Sequence, residues 1–265
     1  MFKNEKVKEE TPTKINFING DCVEELDKLI DNGIKVNKII TSPPYNIIRP
    51  NSTDRGYDIY KDGMSNNDYI KWTLNIFKRF DKILDKNGCI LYNMSYGTEN
   101  TTCMSLTVAD IIRNTDFTLA DIIVWKKKSA TPNNVSKNKL TRIVEFIYVF
   151  VKKEDFKTFE INKKVVGKRK TGQKTYENKF NFIEAKNNDK STPINKATYS
   201  TDLMNKLFDI YVKSGDVVLD PFGGTGTTAC ASYINGNDCY SIELSKQQVE
   251  YSKQRLYDLK KDFHK

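Results

Sequence analysis

Apolar positions along the chain fall into two alternating patterns. Short β-prone runs occur at 15–18, 35–40, 89–94, 117–125, 142–151, 216–220 and 237–243. Between them lie segments with apolar residues at helical spacing. Val23, Leu26, Leu29 and Ile30 share one face of the first such segment. Tyr69, Ile70, Leu74, Ile76, Phe77, Phe80 and Leu84 dominate one side of a helix that starts near Asn67. Further helices are predicted over 104–113, 202–211 and 247–261. This alternation implies an α/β fold with a largely parallel, twisted sheet and helices on both faces. The rhythm lapses twice. Residues 47–64 are rich in Asn, Asp, Gly and Arg without periodicity, as in a mobile loop of functional length. Over 152–196 apolar residues thin out, and Lys163, Lys164, Lys168, Arg169, Lys170, Lys174 and Lys179 alternate with Tyr176, Phe180 and Phe182.

Composition narrows the classes of function. The 265 residues suffice for one large domain with an insertion. A mean hydropathy of −0.60 and the absence of any long apolar run predict a soluble, cytoplasmic protein without a membrane span. The charged start, 1–10, does not read as a secretory signal. Cys22, Cys89, Cys103, Cys230 and Cys239 are odd in number and form no CxxC pair, so neither a disulfide framework nor a zinc site is expected. The single histidine, His264, removes His-based triads and most metal schemes. Lys and Arg number 43 against 34 Asp and Glu, which suits a polyanion binder.

Two stretches carry chemistry. In Thr41-Ser42-Pro43-Pro44-Tyr45-Asn46 two prolines end a strand, because neither can donate to the ladder and both fix φ. The turn presents the Ser42 oxygen, a carbonyl and the Tyr45 ring together. In Asp220-Pro221-Phe222-Gly223-Gly224-Thr225-Gly226-Thr227-Thr228 a glycine-rich turn lies between a strand and a helix, where backbone N–H groups approach a ligand. Gly224-x-Gly226-x-x-Ala229 with Glu243 about 20 residues on fits the dinucleotide fingerprint. Asp220 at the loop mouth would repel a pyrophosphate, however, and no lysine follows the glycines. The acidic strand end suits a ligand that is cationic there, such as S-adenosylmethionine. Asp21 stands at the end of the first strand, where an N-cap and a ligand contact are both open readings.

Together these two motifs resemble the DNA amino-methyltransferases that modify adenine N6 or cytosine N4. Asn19-Gly20-Asp21-Cys22, Ala120-Asp121-Ile122-Ile123-Val124-Trp125-Lys126 and Glu145-Phe146-Ile147-Tyr148-Val149-Phe150 resemble family segments in the same order. The order, catalytic motif before cofactor motif, resembles the circularly permuted β class with its Rossmann-like fold. The resemblance implies one methyltransferase domain made of a catalytic half (11–151), an inserted basic target-recognition region (152–196) and a cofactor-binding half (197–265).

It also implies roles. Ser42, Pro43, Pro44 and Tyr45 would be catalytic. Phe222 and Gly224, within the Gly223, Gly224, Thr225 and Gly226 loop, would lie against S-adenosylmethionine. Asp220 would fix the methionine part of the cofactor, Glu243 the ribose hydroxyls and Asp21 the adenine amino group. Ala197-Thr198-Tyr199-Ser200 departs from the family pattern and carries no assigned contact. The Ser42 oxygen and Pro43 carbonyl would accept the hydrogens of an exocyclic amine on a flipped-out base stacked on Tyr45. Lys168, Arg169 and Lys170 would contact double-stranded DNA. The resemblance leaves room for a homodimer and for a cognate restriction enzyme. Cytosine N4 stands ahead of adenine N6, because serine at the first motif position is commoner among N4 enzymes. The rival readings are methylation of a protein glutamine amide, a non-catalytic nucleic-acid-binding protein and, third, a nicotinamide dehydrogenase.

Overall fold

The computed structural model describes residues 13–46, 63–94, 101–130, 132–189 and 198–263. Residues 47–62 of the expected loop, the charged start and His264 lie outside the described residues.

An eight-stranded sheet is built from β1 (Ile15–Asn19), β2 (Val36–Thr41), β3 (Leu84–Met94), β4 (Phe117–Lys127), β5 (Val144–Lys152), β8 (Phe182–Ala185), β9 (Val218–Asp220) and β10 (Cys239–Glu243). Across the sheet they run in the order β1-β10-β9-β2-β3-β5-β4-β8. Only β5 runs against the others: it pairs antiparallel with both β3 and β4, while every other pairing is parallel. The sheet is covered on both faces, so its central strands are apolar throughout rather than alternating. Ile90, Leu91 and Tyr92 of β3 are all buried.

One face is covered by α1 (Cys22–Asp31), α2 (Asn66–Ile83) and α3 (Thr101–Asn114). Their apolar stripes meet in a core centred on Phe77, whose ring lies 5.2–5.6 Å from those of Phe80, Tyr92, Phe117 and Phe150. The other face packs α4 (Thr201–Tyr211) and α5 (Thr227–Ile234) through Leu203, Met204, Leu207, Phe208, Ala229 and Ala231. α6 (Lys246–Phe263) follows β10 and buries Val249 and Leu256. No helix among the described residues is long and apolar enough to cross a membrane.

The chain departs from the main sheet less than the loss of rhythm over 152–196 implies. β8 belongs to the main sheet, paired parallel with β4, and alternates buried Ile183 and Ala185 with exposed Phe182 and outward Glu184. The part that stands apart is a two-stranded hairpin of β6 (Val165–Lys168) and β7 (Lys174–Tyr176). Its turn is closed by Arg169 N–H to the Gln173 carbonyl at 2.8 Å, with Gly172 at φ +84°. Lys168, Arg169 and Lys170 are exposed on it. Lys179 is not available in the same way, because its ammonium lies 2.7 Å from Asp209 of α4 and 3.6 Å from Glu177. It ties the base of the hairpin to the body.

Candidate active site

The two motifs, far apart in sequence, end adjacent strands. β2 lies beside β9 with Ile39 opposite Leu219, so Thr41 and Asp220 close neighbouring strands at their C-terminal ends. The Thr41 hydroxyl donates to Asp220 Oδ1 at 2.8 Å. Phe222 N–H also donates to Oδ1 (3.1 Å), while Thr228 Oγ1 (2.6 Å) and the Tyr199 hydroxyl (2.9 Å) donate to Oδ2. Burial pushes the Asp220 carboxyl above its usual range, and these donors pull it the other way. Burial and the neighbouring Asp220 hold the Tyr199 hydroxyl well above the usual tyrosine range, so it stays a donor.

Asp220 thus ties the turns after β2 and β9 together from beneath. It is fully buried and does not line the cavity in front of it, and neither do Pro43 and Gly226. A carboxyl that accepts four protein hydrogen bonds clasps the turns after β2 and β9 together.

The cavity forms where the ends of four strands converge. Ser42, Pro44 and Tyr45 contribute from the turn after β2, and Phe222, Gly223, Gly224 and Thr225 from the turn after β9. Asp21 contributes from the end of β1 and Glu243 from the end of β10. Nine of the nineteen lining residues are ones to which the sequence gives a role. Asp21 combines its two readings: Oδ1 caps α1 by accepting from Val23 N–H at 2.8 Å, and the residue lines the cavity. Glu243 accepts from Gly224 N–H through Oε2 (2.8 Å) and from Ser245 N–H through Oε1 (2.9 Å), so it shapes the glycine loop from below.

Two of its glycines leave no room for a side chain. A Cβ on Gly223 would lie 2.1 Å from Ser241 Oγ, and one on Gly226, at φ +75°, 2.8 Å from the Ser252 Cβ. α6 fastens it from behind, where Ser252 Oγ donates to the Gly224 carbonyl at 3.0 Å and Arg255 to the Thr225 carbonyl at 3.2 Å. Arg255 is itself held by Asp189 at 2.6 Å.

Three lining features escaped the sequence reading. Trp72 of α2 reaches the cavity and packs against Phe222 with ring centroids 5.7 Å apart. It lies three residues after Tyr69, on the same helix face, which was the available signal. Thr198 and Tyr199 also line the cavity, as do Ser245 just before α6 and Gln248 in its first turn. The lining holds the carboxylates of Asp21 and Glu243 but no Lys or Arg among the described residues. That donor set, with an aromatic pair beside it, fits a cationic ligand carrying a flat ring and hydroxyls, and opposes a pyrophosphate.

At the catalytic turn, Ser42 Oγ and the Tyr45 hydroxyl are 2.6 Å apart. The Pro44 carbonyl accepts from the Tyr69 hydroxyl at 2.7 Å, which fixes the turn on α2. Asn46, at φ +53°, is buried and clamps Met64 in both directions: Nδ2 donates to its carbonyl and Oδ1 accepts from its N–H, both at 2.9 Å. All five cysteines are buried, and burial raises every thiol; Cys22, which lines the cavity, is pushed up to about 12. None offers a thiolate nucleophile. Among the described residues no cluster of metal-ligating side chains occurs.

Known proteins resemble this chain over most of its length. The family model N6_N4_Mtase, described as DNA methylase, matches residues 36–254. The Type II methyltransferase M.BglII of Bacillus subtilis is 25% identical over 258 residues, covering 90% of this chain and 68% of that protein. Among solved structures, the M1.HpyAVI–SAM complex is 25% identical with a TM-score of 0.65, covering 91% of this chain and 98% of that one. The cytosine-N4-specific PvuII DNA methyltransferase, 17% identical, shares the fold with a TM-score of 0.69 over 94% of this chain and 92% of its own.

Proposed function

The chain belongs to the N6 and N4 family of DNA methylases, and on that premise we propose that it methylates the exocyclic amino nitrogen of a base held out of the duplex, cytosine N4 ahead of adenine N6. S-adenosylmethionine supplies the methyl group as a substituent of its sulfonium. The observation that carries this reading is the Thr41–Asp220 hydrogen bond, which joins the two motifs so that Ser42 and the glycine loop open into one cavity.

The chain's own residues divide the work. Glu243 is the ribose ligand, since its carboxylate lines the cavity at the end of β10 and is fixed there by Gly224 N–H and Ser245 N–H. Asp21 meets the adenine amino group, and Phe222 with Trp72 lies against the ring. Asp220 acts at one remove, by holding Phe222 and Thr41 in place. The amine of the target base is a poor nucleophile, because its lone pair is delocalised into the ring. Ser42 Oγ, at the cavity wall, accepts one of its hydrogens and the carbonyl of Pro43, a residue set behind that wall, the other, which biases the nitrogen towards sp³. The neighbouring Pro44 carbonyl is already engaged by Tyr69. The Tyr45 ring supports the flipped base by stacking. No covalent enzyme intermediate is needed.

Mass spectrometry of nucleosides from DNA incubated with the protein and S-adenosylmethionine tests the reading. N4-methylcytosine is the expected product. N6-methyladenine would reverse the order of bases, 5-methylcytosine would overturn the mechanism, and the absence of any methylated base would overturn the function.

The β6–β7 hairpin is assigned to the DNA. Changing Lys168, Arg169 and Lys170 together to glutamine is expected to weaken DNA binding and to reduce the slope of log K against log salt by about 3, near 0.9 for each phosphate no longer neutralised. A binding titration at several salt concentrations measures this. An unchanged slope would make the cluster an ordinary solvated face.

A further inference from the structure

A line of buried polar side chains runs sideways across the sheet from the catalytic turn. Asn93, near the end of β3, donates through Nδ2 to the Tyr45 hydroxyl at 2.8 Å and to Glu145 Oε2 at 3.0 Å. Glu145, at the start of β5, is only 7% exposed, and its other oxygen is paired with Lys127 at the end of β4. These residues come from three neighbouring strands and reach Ser42 only through Tyr45, apart from a long Asn93–Ser42 approach of 3.5 Å. None of the three lines the cavity. Nothing in the fold alone calls for a carboxylate here, since burying one is costly unless it is paired.

We infer that Glu145, through Asn93 and Tyr45, is a positioning residue that sets the orientation of the Ser42 hydroxyl for methyl transfer; this rests on the methyltransferase reading. The first step is the Asn93 amide. Its Oδ1 is buried and has no hydrogen-bond partner among the described residues. An amide free to choose would not leave that oxygen orphaned. A flip would set Oδ1 against the Glu145 carboxylate, acceptor facing acceptor, so the carboxylate dictates that Nδ2 points inward. The second step is Tyr45. Its oxygen receives one Asn93 hydrogen and lies 2.6 Å from Ser42 Oγ, and of the two directions open to that bond the line takes the one in which Tyr45 donates. The third is Ser42, whose oxygen then receives one hydrogen from Tyr45, keeps a lone pair for the target amine, and is held in one rotamer before the base arrives. Lys127 balances the charge at the far end.

A double-mutant cycle between Glu145→Gln and Tyr45→Phe tests the line. The glutamine side chain can present its amide nitrogen to Asn93, which lets Asn93 turn and reverses every bond toward Ser42. The phenylalanine side chain keeps the ring and removes the relay. The expected results are a fall of about tenfold in the single-turnover methylation rate for Glu145→Gln, cofactor affinity within about twofold of wild type, and a further loss below about twofold when Glu145→Gln is placed in the Tyr45→Phe background. Unchanged cofactor affinity shows that the variants are folded. If Glu145→Gln costs the same factor in both backgrounds, or nothing in either while the wild-type protein methylates DNA, the line is overturned. If the wild-type protein itself methylates no base, the reading beneath it falls instead.

Discussion

Replacing Ser42 by alanine is expected to leave S-adenosylmethionine binding unchanged and to lower the methyl-transfer rate by about 100- to 1000-fold, the usual cost of removing one acceptor or donor aimed at a developing charge. The reason lies in how few groups at this turn can accept a hydrogen. The Pro44 carbonyl is occupied by Tyr69, and the Tyr45 hydroxyl is committed to Asn93 and Ser42. Alanine would leave the target amine with the Pro43 carbonyl alone, and nitrogen with one engaged hydrogen keeps most of its delocalisation into the ring. The turn should survive, because it is fixed by its prolines, by Tyr69 and by the Asn46 clamp rather than by Ser42. Single-turnover methylation with calorimetric measurement of cofactor affinity checks both halves. A rate within about threefold of wild type would remove Ser42 from the chemistry, because so small a factor is below what a lost transition-state hydrogen bond costs.

Much of the site was legible because proline and glycine act on the backbone, and backbone constraints survive any tertiary context. Two consecutive prolines end a strand wherever they stand, and the strand end at Thr41 followed. The glycine loop marked the turn after β9 for the same reason. What could not be read was which side chains the sheet would bring together. Asp220 looks like a ligand in sequence because an acid at the end of a parallel strand faces the binding crevice. Its burial depends on donors from the end of β2, the approach to α4 and the first turn of α5, three segments whose convergence no local pattern encodes. The line from Lys127 to Ser42 was hidden likewise. It exists because β5 turns antiparallel between β3 and β4 and so places its first residues beside the last residues of its neighbours, and the apolar pattern of 142–151 does not reveal strand direction. The hairpin illustrates the converse. The lysines over 163–179 look alike in composition, yet Lys179 is spent on Asp209 while Lys168 and its neighbours face solvent.

Glu243→Ala is expected to weaken S-adenosylmethionine binding by about 100-fold or more, equivalent to roughly 2.7 kcal/mol. A ribose contact alone would account for part of this, since a hydrogen bond to a charged group is worth about 1.5–3 kcal/mol. The support of the loop adds a second loss. The same carboxylate accepts Gly224 N–H and Ser245 N–H, so it ties the glycine loop to the turn that leads into α6. Without it both N–H groups need new partners, and the loop that forms the cavity wall loses its support on the β10 side. Arg255 and Ser252 still hold it from α6, which is why the fold should persist. Glu243→Gln separates the two contributions. Its single carbonyl oxygen can keep one backbone N–H, while its amide nitrogen faces the other donor, so an intermediate loss of about tenfold is expected from glutamine. Isothermal titration with S-adenosylmethionine measures both variants. Binding of the alanine variant within about threefold of wild type would show that Glu243 serves the loop without touching the cofactor, and would remove it from the ribose.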